Sequence, residues 1–223
     1  MSLKRAMDVF GSSLGLVLLL PVFVMVAIAI KLDSPGPVFF RQERVGRAGR
    51  PFQIFKFRSM SVREASGSPL TVRGDPRVTR TGAWLRRSKL DELPQLLNVL
   101  AGHMSLVGPR PEVPEFMRFY TPPQRAIILS MLPGMTDYAA ILFRDENSLL
   151  EADSNPVEFY RRQIMPVKFS HYERYSRDIS LSTDLRLIVA TLLLLVLRQV
   201  PRWLGIEYEL KSLQPSSSPA SHR

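Results

Sequence analysis

Hydrophobic and polar positions divide the chain into one long apolar stretch, one polar and basic stretch, and a series of short amphipathic segments. Residues 9–30 carry no charge. At about 1.5 Å per helical residue they are long enough to cross a bilayer. Lys4 and Arg5 precede them and Lys31 follows. Pro21 falls near the middle, where a proline removes a helical hydrogen bond and kinks the chain. A cleaved signal peptide would account for the basic start and for Ala27-Ile28-Ala29, but the apolar run is too long for one and Pro21 interrupts it. A spanning helix and a re-entrant pair broken at Pro21 remain. Arg41, Arg44, Arg47 and Arg50 crowd the far end while Lys4 and Arg5 hold the near one. Positive charge marks the cytoplasmic side, and here both ends carry it.

Asp33-Ser34-Pro35-Gly36-Pro37 reads as a turn or linker. Residues 38–45 and 52–60 predict two strands around the loop Gly46-Arg47-Ala48-Gly49-Arg50. On the second strand Phe52, Ile54, Lys56 and Arg58 share a face, so Lys56 and Arg58 can point together at one anion. A solvated edge guarded by lysine accounts for the same pattern. Residues 61–82 are polar and rich in turn formers, which fits a substrate loop or a long surface loop. Leu93, Leu96, Leu97 and Leu100 recur at i, i+3, i+4 and i+7 and predict a short helix with one apolar face. Pro94 belongs in its first turn, Asp91 at or next to its N-cap, and Gly102 at its end.

Downstream, residues 114–120 and 122–131 predict short helices, and 156–164 a polar one. Leu181 to Leu204 is amphipathic and then strongly apolar. Its longest charge-free run, 187–197, is too short to span. It fits a buried core helix or, preferably, one lying in a membrane interface with Arg186, Arg198, Arg202 and Trp203 at its margins. Residues 212–223 are rich in Ser and Pro and predict a disordered tail.

Length allows one domain with a real core: the chain has 223 residues. It has no cysteine, hence no disulfide framework and no thiol nucleophile, and its three histidines are scattered without metal-ligand spacing. The net charge of +10 is unevenly placed, with thirteen Lys or Arg against three acids between Gly36 and Leu90. Such a balance suits nucleic acid, anionic lipid or phosphorylated substrates.

The candidate chemistry sits at the start of the short leucine helix. Asp91 and Glu92 stand there side by side, with Arg86, Arg87 and Lys89 just upstream, at a helix end that favours anions. Alone, Asp91 reads as a helix cap. Pro109-Arg110-Pro111 fixes Arg110 between two rigid φ angles, which suits a planar, two-pronged grip on phosphate. Several cations around a carboxylate pair fit phosphoryl chemistry better than a capped helix.

Leu90-Asp91-Glu92-Leu93-Pro94-Gln95, Asn98 and Gly108-Pro109-Arg110-Pro111 resemble the bacterial sugar transferases, the small monotopic phosphoglycosyl transferases. Lys56-Phe57-Arg58-Ser59-Met60 and Asp75-Pro76-Arg77-Val78-Thr79 to Gly82 match as well. The resemblance covers roughly residues 1 to 200 and rests on a long, ordered set of motifs. Leu132-Pro133-Gly134-Met135-Thr136 is similar to the family's Pro-Gly-Ile-Thr element. The family then continues Gly-Leu-Ala-Gln where this chain has Asp137-Tyr138-Ala139-Ala140, with Arg144-Asp145-Glu146 beyond. That departure reads either as a specificity difference or as a surface helix start.

The resemblance implies an α+β, mostly helical, membrane-monotopic protein. Residues 1–33 would form a re-entrant membrane helix broken at Pro21, where the family has Ser-Pro and this chain has Leu20-Pro21. Residues 34–204 would form a catalytic domain on the cytoplasmic face of the bacterial inner membrane, with a small β-hairpin and interfacial amphipathic helices, and 205–223 a tail. The implied reaction joins a UDP-sugar and polyprenyl (undecaprenyl) phosphate to give polyprenyl-diphosphate-sugar and UMP, the first membrane step of surface glycan assembly. It implies a Mg²⁺ requirement and a covalent route in which the aspartate attacks the β-phosphate. Asp91 would be the nucleophile and Glu92 a Mg²⁺ ligand. Arg110, Arg58 and Lys56 would hold the diphosphate, and Arg86 matches a family arginine near the prenyl phosphate. The sugar and the homo-oligomeric state stay open.

A membrane-anchored basic module for anionic lipid or nucleic acid is the rival. It has no use for Asp91-Glu92 at a cationic helix end, because carboxylates repel polyanions; no nucleic-acid partner is expected. A one-pass protein facing the periplasm is a second rival, opposed by the cytoplasmic synthesis of UDP-sugars. Topology is testable in this cysteine-free chain. Single cysteines at Ser2 and Ser61 are expected to label from the same, cytoplasmic, side of the membrane, and labelling from opposite sides would establish a spanning helix.

Overall fold

The computed structural model describes residues 2–61, 75–144, 146–151, 155–197 and 201–205. The expected substrate loop between 62 and 74, Asp145, Arg198 and the tail from 206 onward lie outside the described residues. Two helices open the chain, α1 (Leu3–Leu18) and α2 (Leu20–Asp33), bent by 59° relative to one another. The break falls at Leu19, not at Pro21 as expected. Pro21 lies in the first turn of α2, where its missing N–H leaves no helical bond unmade. Among the described residues no single helix is long and apolar enough to cross a membrane; the bent pair reaches that length and hydropathy only when its two arms are taken together.

The expected hairpin follows, with β1 (Phe39–Val45) antiparallel to β2 (Pro51–Phe57) and Phe40 opposite Lys56. Its turn uses left-handed backbone at Ala48 and Gly49. Next come α3 (Arg80–Ser88) and α4 (Gln95–Ala101). A second sheet pairs β3 (Ser105–Val107) in parallel with β4 (Gly134–Thr136), across a connection carrying α5 (Pro114–Met117) and α6 (Pro122–Ser130). The rest is helical: α7 (Tyr138–Leu142), α8 (Glu146–Glu151), α9 (Pro156–Phe159), a wide turn over Tyr160–Ile164 leading into α10 (Met165–Asp178), and α11 (Leu181–Leu197). The fold is α+β and mostly helical, as expected.

Val107, Ile141, Ile164, Tyr172 and Leu187 belong to the largest core, between the short parallel sheet and the later helices. The segment expected to be a polar helix over 156–164 sends Phe159, Tyr160 and Ile164 into it. Helix α11 packs into the core along one side, as the buried-helix reading requires. One side buries Asp184, Leu187, Ala190 and Leu194, and the other exposes Leu185, Val189, Leu192 and Val196. Two smaller cores flank the hairpin. Val26 and Ile30 of α2 meet Phe57 and Leu85 on one side, and Phe52 and Ile54 meet Val99 and Met104 on the other.

Helix α1 is fastened to this body by charge. Lys4 Nζ donates to Asp184 Oδ2 (2.6 Å), the Val107 carbonyl (3.0 Å) and the Tyr175 hydroxyl (3.1 Å). Asp8 Oδ1 accepts from the Leu106 N–H (2.9 Å) and Ser105 Oγ (3.0 Å). Arg5 donates to the last carbonyls of α4, Val99 and Leu100. Phe10, Val17, Leu18, Leu20, Val24, Met25 and Ile28 remain exposed on the bent pair.

The face of α4 differs from expectation. Gln95, Leu96, Asn98 and Val99 are buried, whereas Leu97 and Leu100 are exposed. Asn98 sets this orientation. Its Oδ1 accepts from the Phe55 N–H (2.9 Å) and its Nδ2 donates to the Gln53 carbonyl (2.7 Å), so the amide closes onto the backbone of β2. Asn98→Ala leaves a backbone donor and acceptor unmatched and is expected to cost about 2–4 kcal/mol, measured as a loss of thermal or denaturant stability in detergent. A change within about 0.5 kcal/mol, the range of neutral surface substitutions, would mean that packing alone holds α4 on the hairpin.

Candidate active site

Helix α3 starts at the N-cap Thr79, whose hydroxyl accepts from the Gly82 N–H (3.0 Å). It ends at Lys89, a non-glycine residue in the left-handed region (φ 59°). The chain then makes a tight 3₁₀ turn, Leu90–Glu92, and enters α4 through Pro94. Asp91 is therefore not the N-cap of α4; Pro94 takes that position. Both carboxylates sit in the corner between two helices, and the corner faces Lys56 at the end of β2 and Arg110 beyond β3.

Glu92 is the centre of the site. Its Oε1 accepts from Lys56 Nζ (2.8 Å) and Arg110 Nη2 (2.5 Å), and its Oε2 from Arg110 Nη1 (3.0 Å). The two-pronged arginine grip expected for phosphate is closed here on a carboxylate. Burial works against the charge on Glu92, but Arg110 and Lys56 outweigh it and hold the carboxyl well below its usual range. Burial lowers Lys56, an effect that Glu92 opposes. Glu92 raises Arg110 above its ordinary value.

Asp91 is handled differently. It is 7% exposed, and its Oδ1 is buried without a hydrogen-bond partner. Burial raises its carboxyl above the ordinary range, Lys56 works against that rise, and Glu92 adds to it. Two adjacent carboxylates thus differ: Glu92 is paired with two cations, and Asp91 has a buried oxygen without a partner. Arg86, itself lowered by burial, donates Nε to Ser59 Oγ (2.8 Å) and acts electrostatically on Asp91.

Arg110 is carried on rigid backbone. The Gly134 N–H donates to the Pro109 carbonyl (2.9 Å), and the Gly108 N–H to the Thr136 carbonyl (3.0 Å). At Gly134 the strands come so close that a Cβ would lie 2.1 Å from the Gly108 nitrogen. The element Pro133-Gly134-Met135-Thr136 is thereby the support of Gly108-Pro109-Arg110.

The structure brings Lys56, Arg86, Asp91, Glu92 and Arg110 to one corner. Arg58, expected among the phosphate cations, is not with them. It is 5% exposed, and both terminal nitrogens are spent on the linker after α2: Nη1 on the Pro35 carbonyl and Nη2 on Ser34. The alternation that placed it beside Lys56 stops because β2 ends at Phe57 and Phe57, Arg58 and Ser59 are all buried. Sequence reasoning missed Ser59 as the partner of Arg86, Asn98 as the tie to β2, and Arg44. The Arg44 side chain reaches the Pro111 carbonyl from β1 (3.0 Å). Alternation along β1 was the signal available for Arg44.

Asp137 directly follows β4, at the position where the departure from the family pattern begins. It is an N-cap, accepting from the Ala140 N–H (2.6 Å), and it is buried. Burial pushes its carboxyl up to about 7.

Known proteins resemble this chain over most of its length. The family model described as bacterial sugar transferase matches residues 1–198. A UDP-glucose:undecaprenyl-phosphate glucose-1-phosphate transferase of Escherichia coli is 46% identical over 162 residues, covering 70% of this chain and 35% of that protein. A protein of the same name from Caulobacter vibrioides is 41% identical over 191 residues, covering 84% of this chain and 67% of that protein. A UDP-N-acetylgalactosamine-undecaprenyl-phosphate N-acetylgalactosaminephosphotransferase of Aeromonas hydrophila is 36% identical over 196 residues, covering 85% and 43%. The chain spans less than two thirds of the length of most of the curated relatives it matches.

The pairing of Glu92 has a pH signature. A carboxyl depressed by folding stabilises above its ordinary value of 4.5, and that contribution is lost as the pH falls through and below it. Glu92→Gln is expected to melt below wild type at pH 7, with the gap closing as the pH drops under that value. A gap that stays constant with pH would mean the loss is one of packing.

Proposed function

The chain belongs to the bacterial sugar transferase family, and on that premise we propose that it moves a sugar-1-phosphate from a UDP-sugar to polyprenyl phosphate through a covalent aspartyl intermediate. One observation carries the covalent step: Asp91 Oδ1 is buried, unpartnered and raised in basicity, next to a carboxylate whose charge is fully matched. A desolvated carboxylate with a free oxygen suits nucleophilic attack on phosphorus.

An Asp91 oxygen attacks the β-phosphorus, which bears the sugar. The bond from that phosphorus to the bridging oxygen breaks, and UMP leaves with the electron pair. An oxygen of the polyprenyl phosphate then attacks the same phosphorus, the aspartyl bond breaks, and polyprenyl-diphosphate-sugar forms with the Asp91 carboxylate restored. Lys56, Arg86 and Arg110 supply the positive field this transfer needs in a partly buried site. Arg58 acts at a distance by tying the hairpin to the linker below α2.

Mg²⁺ fits the donor set. It takes oxygen ligands, commonly one or two carboxylates plus substrate phosphates. Glu92 Oε2 accepts a single bond, which leaves acceptor capacity there. Glu92 would hold the ion together with substrate phosphate oxygens, leaving Asp91 Oδ1 for attack, and the ion would offset charge on the diphosphate.

The membrane is the place where such a lipid substrate meets the site. We infer a monotopic, re-entrant arrangement for α1 and α2, with the active site on the cytoplasmic face. Support comes from the 59° bend, the exposed apolar side chains on both arms, and positive charge at both ends. The polar groups of α1 turn inward to Asp184, Ser105 and Leu106, which spares them contact with lipid. The relatives named above act on UDP-glucose or UDP-N-acetylgalactosamine, so the sugar of this chain is to be found by screening UDP-sugars with undecaprenyl phosphate.

Protein incubated with the accepted UDP-sugar and Mg²⁺, without lipid, is expected to release UMP up to one per active site and to gain the mass of a sugar phosphate. Asp91→Asn is expected to abolish both while melting like wild type. Glu92→Gln is expected to slow the release and weaken its Mg²⁺ dependence. UMP release that requires lipid phosphate would favour direct attack by the lipid; an adduct on Asp91→Asn protein would remove Asp91 as the nucleophile.

A further inference from the structure

Arg110 can act on a diphosphate only if its backbone is held still, and both ends of its tripeptide are fastened. The Pro109 carbonyl takes the Gly134 N–H (2.9 Å). At the other end Arg44, on β1, donates Nη1 to the Pro111 carbonyl (3.0 Å), and the next residue, Val45, donates its N–H to the Glu112 carbonyl (3.0 Å). Arg44 is itself oriented, with Nη2 on Gln42 Oε1 (2.7 Å). Its Nε is buried and has no partner.

A cation is an expensive choice for bonding one carbonyl. Burial and the neighbouring Arg110 charge both disfavour it, and Glu112 and Glu92 are the main opposing charges. The forked guanidinium bridges the Pro111 carbonyl and the Gln42 amide at once, and a lysine cannot reproduce that bridge. It also adds positive charge behind Arg110. Within the phosphoglycosyl transferase reading, we infer that Arg44 is a positioning residue: it holds the Pro111 end of the Pro-Arg-Pro segment so that the Arg110 fork meets the substrate diphosphate in the geometry of the transition state. It touches no reacting atom and acts through Arg110.

A double-mutant cycle on lipid-dependent UMP release tests this. Arg44→Gln is expected to lower kcat by about ten- to a hundredfold, with KM for the UDP-sugar little changed, because misplacement by a fraction of an ångström is costly in an aligned site. Arg110→Lys alone is expected to lower it by more than about tenfold. In the Arg110→Lys background, Arg44→Gln is expected to cost less than about a further twofold, since a residue acting through another has nothing left to position. Arg44→Lys serves in the same cycle if the glutamine variant does not melt cooperatively. Equal losses in both backgrounds, or a loss confined to the melting temperature, would overturn the positioning role. Failure of wild-type protein to release UMP from any UDP-sugar would instead overturn the reaction on which it rests.

Discussion

A single carboxylate between two cations organises the site. Glu92 comes from a 3₁₀ turn, Lys56 from the hairpin, and Arg110 from a proline-flanked segment after β3. Removing Glu92 leaves Lys56 and Arg110 facing each other without their shared counter-charge, which costs far more than losing a surface pair. The triad therefore fixes the relative places of three chain segments distant in sequence. Asn98 on β2, Gly134 against Gly108 and Arg44 on Pro111 lock the same three segments through backbone.

The triad also explains the difference between the two acids. Lys56 and Arg110 are consumed by Glu92, so Asp91 receives electrostatic help from Lys56 without a hydrogen bond on Oδ1. A carboxylate shielded from water but not bonded keeps more of its basicity than one caged by donors. Had Asp91 capped α4 as its spacing implied, backbone N–H groups would have lowered its reactivity. The left-handed Lys89 closes α3 early, and the turn that follows keeps Asp91 off the helix end.

The composition of the site was legible in the sequence and its wiring only partly so. Lys56, Asp91, Glu92 and Arg110 were identifiable because motif, charge and proline rigidity agreed. Arg58 was misplaced because strand periodicity says nothing once a strand stops, and Phe57-Arg58-Ser59 are buried by the linker and α3. The leucine pattern predicted α4 correctly as a helix but chose the wrong face, since the two hydrogen bonds of Asn98 outweigh the gain from burying Leu97 and Leu100. Strands β3 and β4 span three residues each, too few to show a period, and their pairing depends on Gly108 and Gly134 meeting across a long connection. The break at Leu19 rather than Pro21 follows from where a proline can sit at no cost.

Arg110 closed on Glu92 is consistent with the proposed reaction. Two cations side by side in a partly buried corner repel one another, and Glu92 supplies the negative charge that keeps both in place. In the proposed reaction a diphosphate entering the corner would offer the same bidentate geometry with more charge, so Arg110 could exchange one prong without moving its backbone. Rigid support of the segment matters for this reason. An arginine on mobile backbone would follow whichever anion held it more tightly, whereas one fastened at Pro109 and Pro111 keeps its fork aimed at the corner and lets the substrate come to it.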